Sequence, residues 1–346
     1  MLRVCVIGAG NIAKTIHLPI YSLHPQITLV GISDLSEITL NKIADEFNIK
    51  NRYTDYIQML DDLKPDIVSI CTPNKYHYIQ SMAALERGIH VFCEKPPAMN
   101  YQELKQMWKK SIEKKCTIAF NFHHRLRKET LMLKNWVESG RQNDIYYAEI
   151  NALRRRGIPG WGNFTNKDLQ GGGALIDIGI HMLDLFLYVM NYPKPLYVIA
   201  SSSNRIGIKG GEGDFGAWNG DKFEVEDSLY GQITFEGGLS VHIKTAFAHN
   251  FEIKSDMNVS LFASDEGAKL HPFTRYGNHD PIIEFQEETI QGLSALPNFI
   301  ESLQSNNTLP LTSIESVILT QRLVDALYLS ASTNQPIRME DHNVSI

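Results

Sequence analysis

Short apolar runs alternate with amphipathic stretches over the first third of the chain. "RVCVIG" (3–8), "ITLVGIS" (27–33), "DIVSICT" (66–72), "IHVFCEK" (89–95) and "TIAFN" (117–121) are rich in β-branched residues and end in turn formers, as strands buried on both faces do. Between them, residues 11–23, 36–47, 75–87 and 101–114 space their apolar positions as helices do, with Ser36 placed to cap the second. The alternation predicts a parallel sheet covered by helices on both faces. After about residue 122 the rhythm changes. A helix over 126–139 and another after Gly173 precede the strand candidates "YYAEINAL", "LYVIASS", "DSLYGQITF", "LSVHIKTAF" and "MNVSLFA", and helices near 293–305 and 313–332 close the chain. This predicts a large open, mainly antiparallel sheet packed on helices, with "GIKGGEGDFGAWNGDKFE" (207–224) as a long loop. The fold class is therefore α/β, divided into a parallel-sheet domain over 1–121 and a second α/β domain with the mainly antiparallel sheet over 122–346. "LYGQITF" and "LSVHIKTAF" carry apolar or aromatic residues on more than one face, which predicts a homodimer or homotetramer formed through the second domain's sheet.

Composition narrows the class further. The 346 residues are 43% hydrophobic and 21% charged, with a net charge of −6 and no long basic run. Nucleic acid and anionic membrane are thus not expected partners. The apolar stretch after Gly173 is broken by Asp177, His181 and Asp184, so no membrane span is expected. The opening "MLRVCVIGAG" reads directly as strand and turn, without a signal peptide's charged start. Cys5, Cys71, Cys93 and Cys116 show neither a CxxC pair nor a disulfide spacing, which points to a reducing cytoplasm.

The chemistry begins at Gly8-x-Gly10-x-x-Ala13, directly after a strand and opening a helix. Gly8 permits the tight turn, Gly10 admits a pyrophosphate to the backbone, and the helix start at Asn11 and Ile12 offers amide donors. Asp34, 24 residues after Gly10 at the end of the second strand, suits the adenosine ribose hydroxyls and would repel a 2′-phosphate. NAD is the expected cofactor, with NADP as the alternative because Ser33 stands beside Asp34. Two further turns, "CTPN" (71–74) and "FCEKPPAM" (92–99), fall at strand C-termini, the edge where open α/β sheets bind ligands. The second holds Lys95 between a strand and two prolines, and the peptide before Pro96 is expected to be cis. In "GGGALIDIGIHMLD" (171–184), Asp177 and His181 are four apart and share a helix face. The preceding glycines suggest backbone close to a ligand. No second His or Cys stands at a ligand spacing, so no metal is expected. "RRRGIPGWGNF" (154–164) sets Arg154, Arg155, Arg156 and Trp161 close together, with Arg suited to hydroxyls or an anion and Trp to C–H surface. His123, His124 and Arg125 open the second domain and are expected to line its site, whereas His17 reads as a packed helix residue.

Together "GAGNIAKTIHLP", "CTPNKYH", "EKPP", "GGGALIDIGIHMLD" and "EVEDSLYGQITFEGG" closely resemble the Gfo/Idh/MocA oxidoreductases, in the family's order and over nearly the whole chain. Departures are Ala13 for the third glycine and Pro97 where an aliphatic residue is usual. The resemblance implies a Rossmann domain joined to an α/β domain, and NAD(P)-dependent hydride transfer with a secondary hydroxyl or ketone of a sugar, inositol or related polyol. It implies Lys95, Asp177 and His181 as catalytic. Gly8, Gly10, Asp34, Thr72, Pro73, Asn74, His77, Glu94 and Lys95 fall on its cofactor side. Lys95, Arg125, Arg156, Trp161, Asp177 and His181 are the expected substrate contacts. Two alternatives remain open, a non-catalytic NAD-binding regulator and an NAD-dependent glycoside hydrolase, because relatives of both kinds share the fold.

Overall fold

A computed structural model describes residues 1–277, 283–284, 292, 294–305 and 309–340. The chain divides into two compact units, Met1–Asn121 with Ser294–Ile318, and Phe122–Leu293 with Leu319–Ile346. The alternation of strand and helix in the sequence gives no sign that residues 294–318 return to the first unit.

In the first unit, β1 (Leu2–Ile7), β2 (Ile27–Ser33), β3 (Arg52–Tyr53), β4 (Ile67–Ile70), β5 (His90–Cys93) and β6 (Ile118–Phe120) form one sheet in the order β3-β2-β1-β4-β5-β6. Every neighbouring pair is parallel. The order reverses between β1 and β4, which makes their C-terminal ends the switch point where such sheets bind nucleotides. The helices include α1 (Leu18–Leu23), α2 (Glu37–Glu46), α3 (Tyr56–Leu63), α4 (His77–Glu86) and α5 (Tyr101–Lys114). Caps explain several starts. Ser36 accepts from the Thr39 amide, Asp55 from Ile57 and Asn100 from Glu103. Ahead of α1, residues Ala13–His17 form a π turn closed by the Leu18 amide on the Ala13 carbonyl. Pro19 has no N–H to give, and its ring crowds the carbonyl four residues back.

The second unit is built on nine described strands, β7 (Tyr147–Arg154), β8 (Pro195–Ser203), β11 (Ser228–Phe235), β12 (Ser240–Ala246), β13 (Ser255–Phe262), β14 (Glu266–Lys269), β15 (Thr274–Gly277), β16 (Ile283–Glu284) and β17 (Ile337–Arg338). A two-stranded hairpin, β9 (Gly211–Gly213) with β10 (Gly216–Trp218), lies inside the glycine-rich loop. The order of the large sheet is β16-β15-β14-β13-β7-β12-β11-β8-β17. All neighbours are antiparallel except β7 with β12, so the sheet is mixed at its centre. Ala148, Ile150 and Ala152 of β7 and Val241 and Ile243 of β12 are buried, alternating with more exposed residues. The helices of this unit include α6 (Lys128–Trp136), α7 (Lys167–Gln170) and α8 (Ile180–Val189), while the unit boundary falls inside α10 (Ile314–Thr333), which follows α9 (Ala295–Gln304). The α8 sequence is apolar nearly all round because the helix is enclosed. Lys167–Val189 is long and apolar enough to cross a membrane, but 94% of its apolar window is buried within the protein, as in a core helix.

Candidate active site

At the switch point, Ile7 of β1 pairs with Ile70 of β4, so the turns that follow them lie side by side. Gly8 has φ +94°, and a Cβ there would stand 2.8 Å from the Cys71 carbonyl oxygen, so the close approach requires glycine. A Cβ on Gly10 would meet nothing within 4 Å, which leaves its backbone open to a phosphate. Asn11 is exposed and Ile12 half-buried at the helix start. Asp34 Oδ2 accepts from the Ala9 amide at 2.7 Å and Oδ1 from the Ser36 amide at 2.8 Å. The carboxylate is thereby fixed beside the glycine turn with a lone pair remaining on each oxygen. The donor and acceptor set fits a dinucleotide whose ribose hydroxyls donate to Asp34.

The other turns are tied together beneath the surface. His77 is fully buried, with Nδ1 2.7 Å from the Pro96 carbonyl oxygen and Nε2 2.9 Å from that of Thr72. Burial pushes its pKa down, against the pull of the two carbonyls. Both ring nitrogens of His77 are thus taken up by backbone carbonyls. The imidazole links the "CTPN" turn to the Lys95 turn. Thr72 Oγ1 bonds Gln80, Pro73 is half-buried and Asn74 buried. The Lys95–Pro96 peptide is cis, as expected, and Lys95 is half-buried.

His17 has a part that sequence reading missed. It is buried, with Nε2 2.7 Å from Glu94 Oε1 and Nδ1 2.8 Å from Ser69 Oγ. Asn121 Nδ2 donates to the same Glu94 oxygen, and Tyr21 bonds Ser69. Burial raises the Glu94 pKa, but the bonds from His17 and Asn121 outweigh it and hold the carboxyl below its ordinary range. A polar residue on the buried side of a helix, facing a strand that ends in "EK", was the signal available.

In the second unit, the glycines before the helix that carries Asp177 and His181 are packed against the unit's own residues. A Cβ on Gly172 would fall 2.0 Å from the Tyr328 hydroxyl, and one on Gly173 2.0 Å from the Glu226 carbonyl oxygen. The bare backbone makes room for Tyr328 at Gly172 and for Glu226 at Gly173. Glu226 then caps the helix start, accepting from the Gly173 amide at 2.8 Å, the Leu175 amide at 3.0 Å and the Tyr328 hydroxyl at 2.9 Å. Desolvation raises its pKa although all three bonds favour the anion. Leu175–Gly179, which carries Asp177, is a π turn closed by the Ile180 amide on Leu175, and π turns recur at functional sites. Asp177 is half-buried and His181 is 7% exposed. His123 and His124 pack their rings 5.1 and 5.0 Å from that of His181, and Phe122 meets it edge-on at 6.1 Å. Among the described residues no group of His, Cys, Asp or Glu could hold a metal ion.

Three expected substrate contacts are separated by their surroundings. Arg125 has no exposed surface. Both Asp184 oxygens accept from it, Nε at 2.6 Å, and its guanidinium lies against the rings of Phe122, Tyr188 and Tyr192. A fully buried guanidinium bonded to both oxygens of Asp184 is built into the core of this unit. Arg156 is exposed and turns to Asn250 Oδ1 at 3.1 Å. Trp161 is 52% exposed and stands perpendicular to Phe215, with ring centres 5.2 Å apart.

A parallel sheet with this switch point, a glycine turn and a carboxylate fixed beside it defines a dinucleotide-binding fold, and the second unit adds a helix-borne Asp and His. The comparisons agree: residues 2–122 match the oxidoreductase family with the NAD-binding Rossmann fold, and 130–264 match the Gfo/Idh/MocA C-terminal domain. The chain belongs to the Gfo/Idh/MocA family and is an NAD-dependent oxidoreductase. It is 38% identical over 343 residues to the D-glucoside 3-dehydrogenase of Escherichia coli, covering 98% of this chain and 97% of that one. It is 25% identical over 313 residues to the levoglucosan dehydrogenase of Pseudarthrobacter phenanthrenivorans, 77% of either chain. An NAD-binding protein from Listeria innocua has the same fold, with a TM-score of 0.81 at 22% identity over 99% of both chains.

Proposed function

We propose that the protein oxidises the C3 hydroxyl of a D-glucoside to the ketone. The observation that carries this reading is the 38% identity, along nearly the full length of both chains, to a D-glucoside 3-dehydrogenase. The chemistry of the residues supports it. A secondary alcohol releases hydride only as its O–H bond breaks. His181 takes that proton, since imidazole changes charge near neutral pH. Lys95 donates a hydrogen bond to the reacting oxygen and offsets its developing negative charge. Asp177 orients His181 or accepts from a substrate hydroxyl. NAD supplies the hydride acceptor when bound. Gly8, Gly10 and the helix start hold its pyrophosphate, and Asp34 its ribose. The test is a panel of glucosides, inositols and free sugars with NAD, read at the NADH absorbance. The highest kcat/KM falls on a D-glucoside, and a panel in which only inositols react would overturn the substrate.

Asp34 makes NAD the better cofactor, because a 2′-phosphate would meet its charge. Asp34→Ala narrows the ratio of kcat/KM for NAD over NADP. A wild-type protein that preferred NADP would refute this role.

The protein works in the reducing cytoplasm as a homodimer or homotetramer. Its four cysteines are buried and unlinked, and burial pushes the Cys5 thiol up to about 12, so these are inert packing groups. On the large sheet Tyr197, Ile199 and Tyr230 remain 47%, 48% and 37% exposed. Ile199 and Tyr230 line a groove together with Gln232, His242 and Lys244. A second copy of the chain covers this face. Light scattering at micromolar concentration gives a multiple of the one-chain mass, and the mass of one chain would contradict it.

A further inference from the structure

Three successive arginines end in three different settings. Arg155 and Arg156 are exposed and bond Glu252 and Asn250. Arg154, the last residue of β7, is half-buried, and its guanidinium carbon lies 4.9 Å above the centre of the Phe215 ring. Two features hold it there. Gly157 leaves the space its stem occupies, since a Cβ would stand 2.4 Å from Arg154 Cδ. Phe215, between β9 and β10, is anchored by the Gly160 amide on its carbonyl at 2.8 Å and by the perpendicular Trp161. Among the described residues no acceptor is hydrogen-bonded to the half-buried Arg154 guanidinium, which leaves its planar fork of N–H donors available to a ligand. The π turn that carries Asp177 packs against β7 and β12. Asp177 is also the charge that acts on Arg154: burial lowers the guanidinium pKa and the carboxylate opposes that shift.

We propose that Arg154 is a specificity-determining residue that reads the substrate together with Asp177. Arg154 donates to one ring oxygen, Asp177 accepts from a neighbouring hydroxyl, and Phe215 lies against the C–H surface between them. A donor and an acceptor of opposite charge suit a vicinal diol, in which each oxygen can give or take a hydrogen bond. They do not suit a carboxylate or phosphate, which Asp177 would repel. The ligand class is thus a neutral polyhydroxylated ring. This rests on the reading of the protein as a glucoside dehydrogenase.

The experiment compares wild type with Arg154→Met and Arg154→Lys on methyl D-glucoside, its 2-deoxy and 4-deoxy counterparts, and the matching glucuronide. Loss of a charge-assisted bond lowers kcat/KM for the full glucoside about 10- to 100-fold in Arg154→Met. On one deoxy compound, the one lacking the oxygen that Arg154 reads, wild type and variant converge. Arg154→Lys retains part of the activity, and the NAD Kd and melting temperature of both variants stay at wild-type values. Equal losses on every compound, no loss on the full glucoside, or a loss confined to the glucuronide would each overturn the proposal. A variant that fails to fold leaves the decision to Arg154→Lys, which must show the same deoxy-specific convergence. Wild type inactive on every glucoside would instead refute the functional reading, and this proposal with it.

Discussion

Replacing His181 or Lys95 with alanine lowers kcat by about 10²-fold or more on the true substrate. In the proposed mechanism His181 takes a proton and Lys95 offsets a charge whose transfer and development accompany C–H cleavage, so KM moves far less than kcat. NAD affinity is retained in both variants, because the pyrophosphate and ribose contacts lie at Gly8, Gly10 and Asp34. The supports of each residue differ. Lys95 follows Glu94, whose carboxylate is held by His17 and Asn121. His181 follows a helix start fixed by Glu226 and packs against His123 and His124. Single-turnover kinetics with fluorescence titration of NAD separates the two quantities. A His181→Ala enzyme with near-normal kcat would make the imidazole a packing residue.

Arg125→Ala destabilises the second unit by about 3–5 kcal/mol, the usual consequence of removing one partner from a buried ion pair. Asp184 is 1% exposed, and burial already holds its carboxyl above the ordinary range against the pull of Arg125 and Thr320. Without the guanidinium that shift grows. A carboxyl whose folded pKa is raised stabilises most below its unfolded pKa and loses that contribution as pH rises through the folded value. The deficit of Arg125→Ala is therefore smallest in acid and deepens towards neutral pH. Urea unfolding followed by tryptophan fluorescence across this range measures it. A variant as stable as wild type at neutral pH would show that the pair contributes nothing.

Sequence made the first unit legible because its signals are local. A buried parallel strand is a short apolar run, and Ser36 caps the helix it precedes. The glycine turn and Asp34 were legible for the same reason. What sequence could not supply was the partner of each polar residue. His17 and Glu94 are 77 positions apart, and Arg125 and Asp184 are 59 apart. Nothing near Arg125 in the chain distinguishes a substrate contact from a core ion pair. His77 fell on the cofactor side through the family resemblance alone, and its bond to the Pro96 carbonyl, 19 positions away, was not legible. Gly172 and Gly173 suggested an approach to a ligand, whereas Tyr328 and Glu226 fill that space. The parallel β7–β12 pair was hidden in a similar way, since hydrophobic alternation is the same for either strand direction.

The central claim is most directly tested by incubating the protein with methyl D-glucoside and NAD, following NADH by absorbance and the sugar by carbon NMR. The account predicts NADH and a C3 ketone in equal amounts, with the methyl group still attached. Release of methanol without net NADH would indicate glycoside hydrolysis, and NAD binding with no change in any glucoside would indicate a regulator; either result would contradict the account.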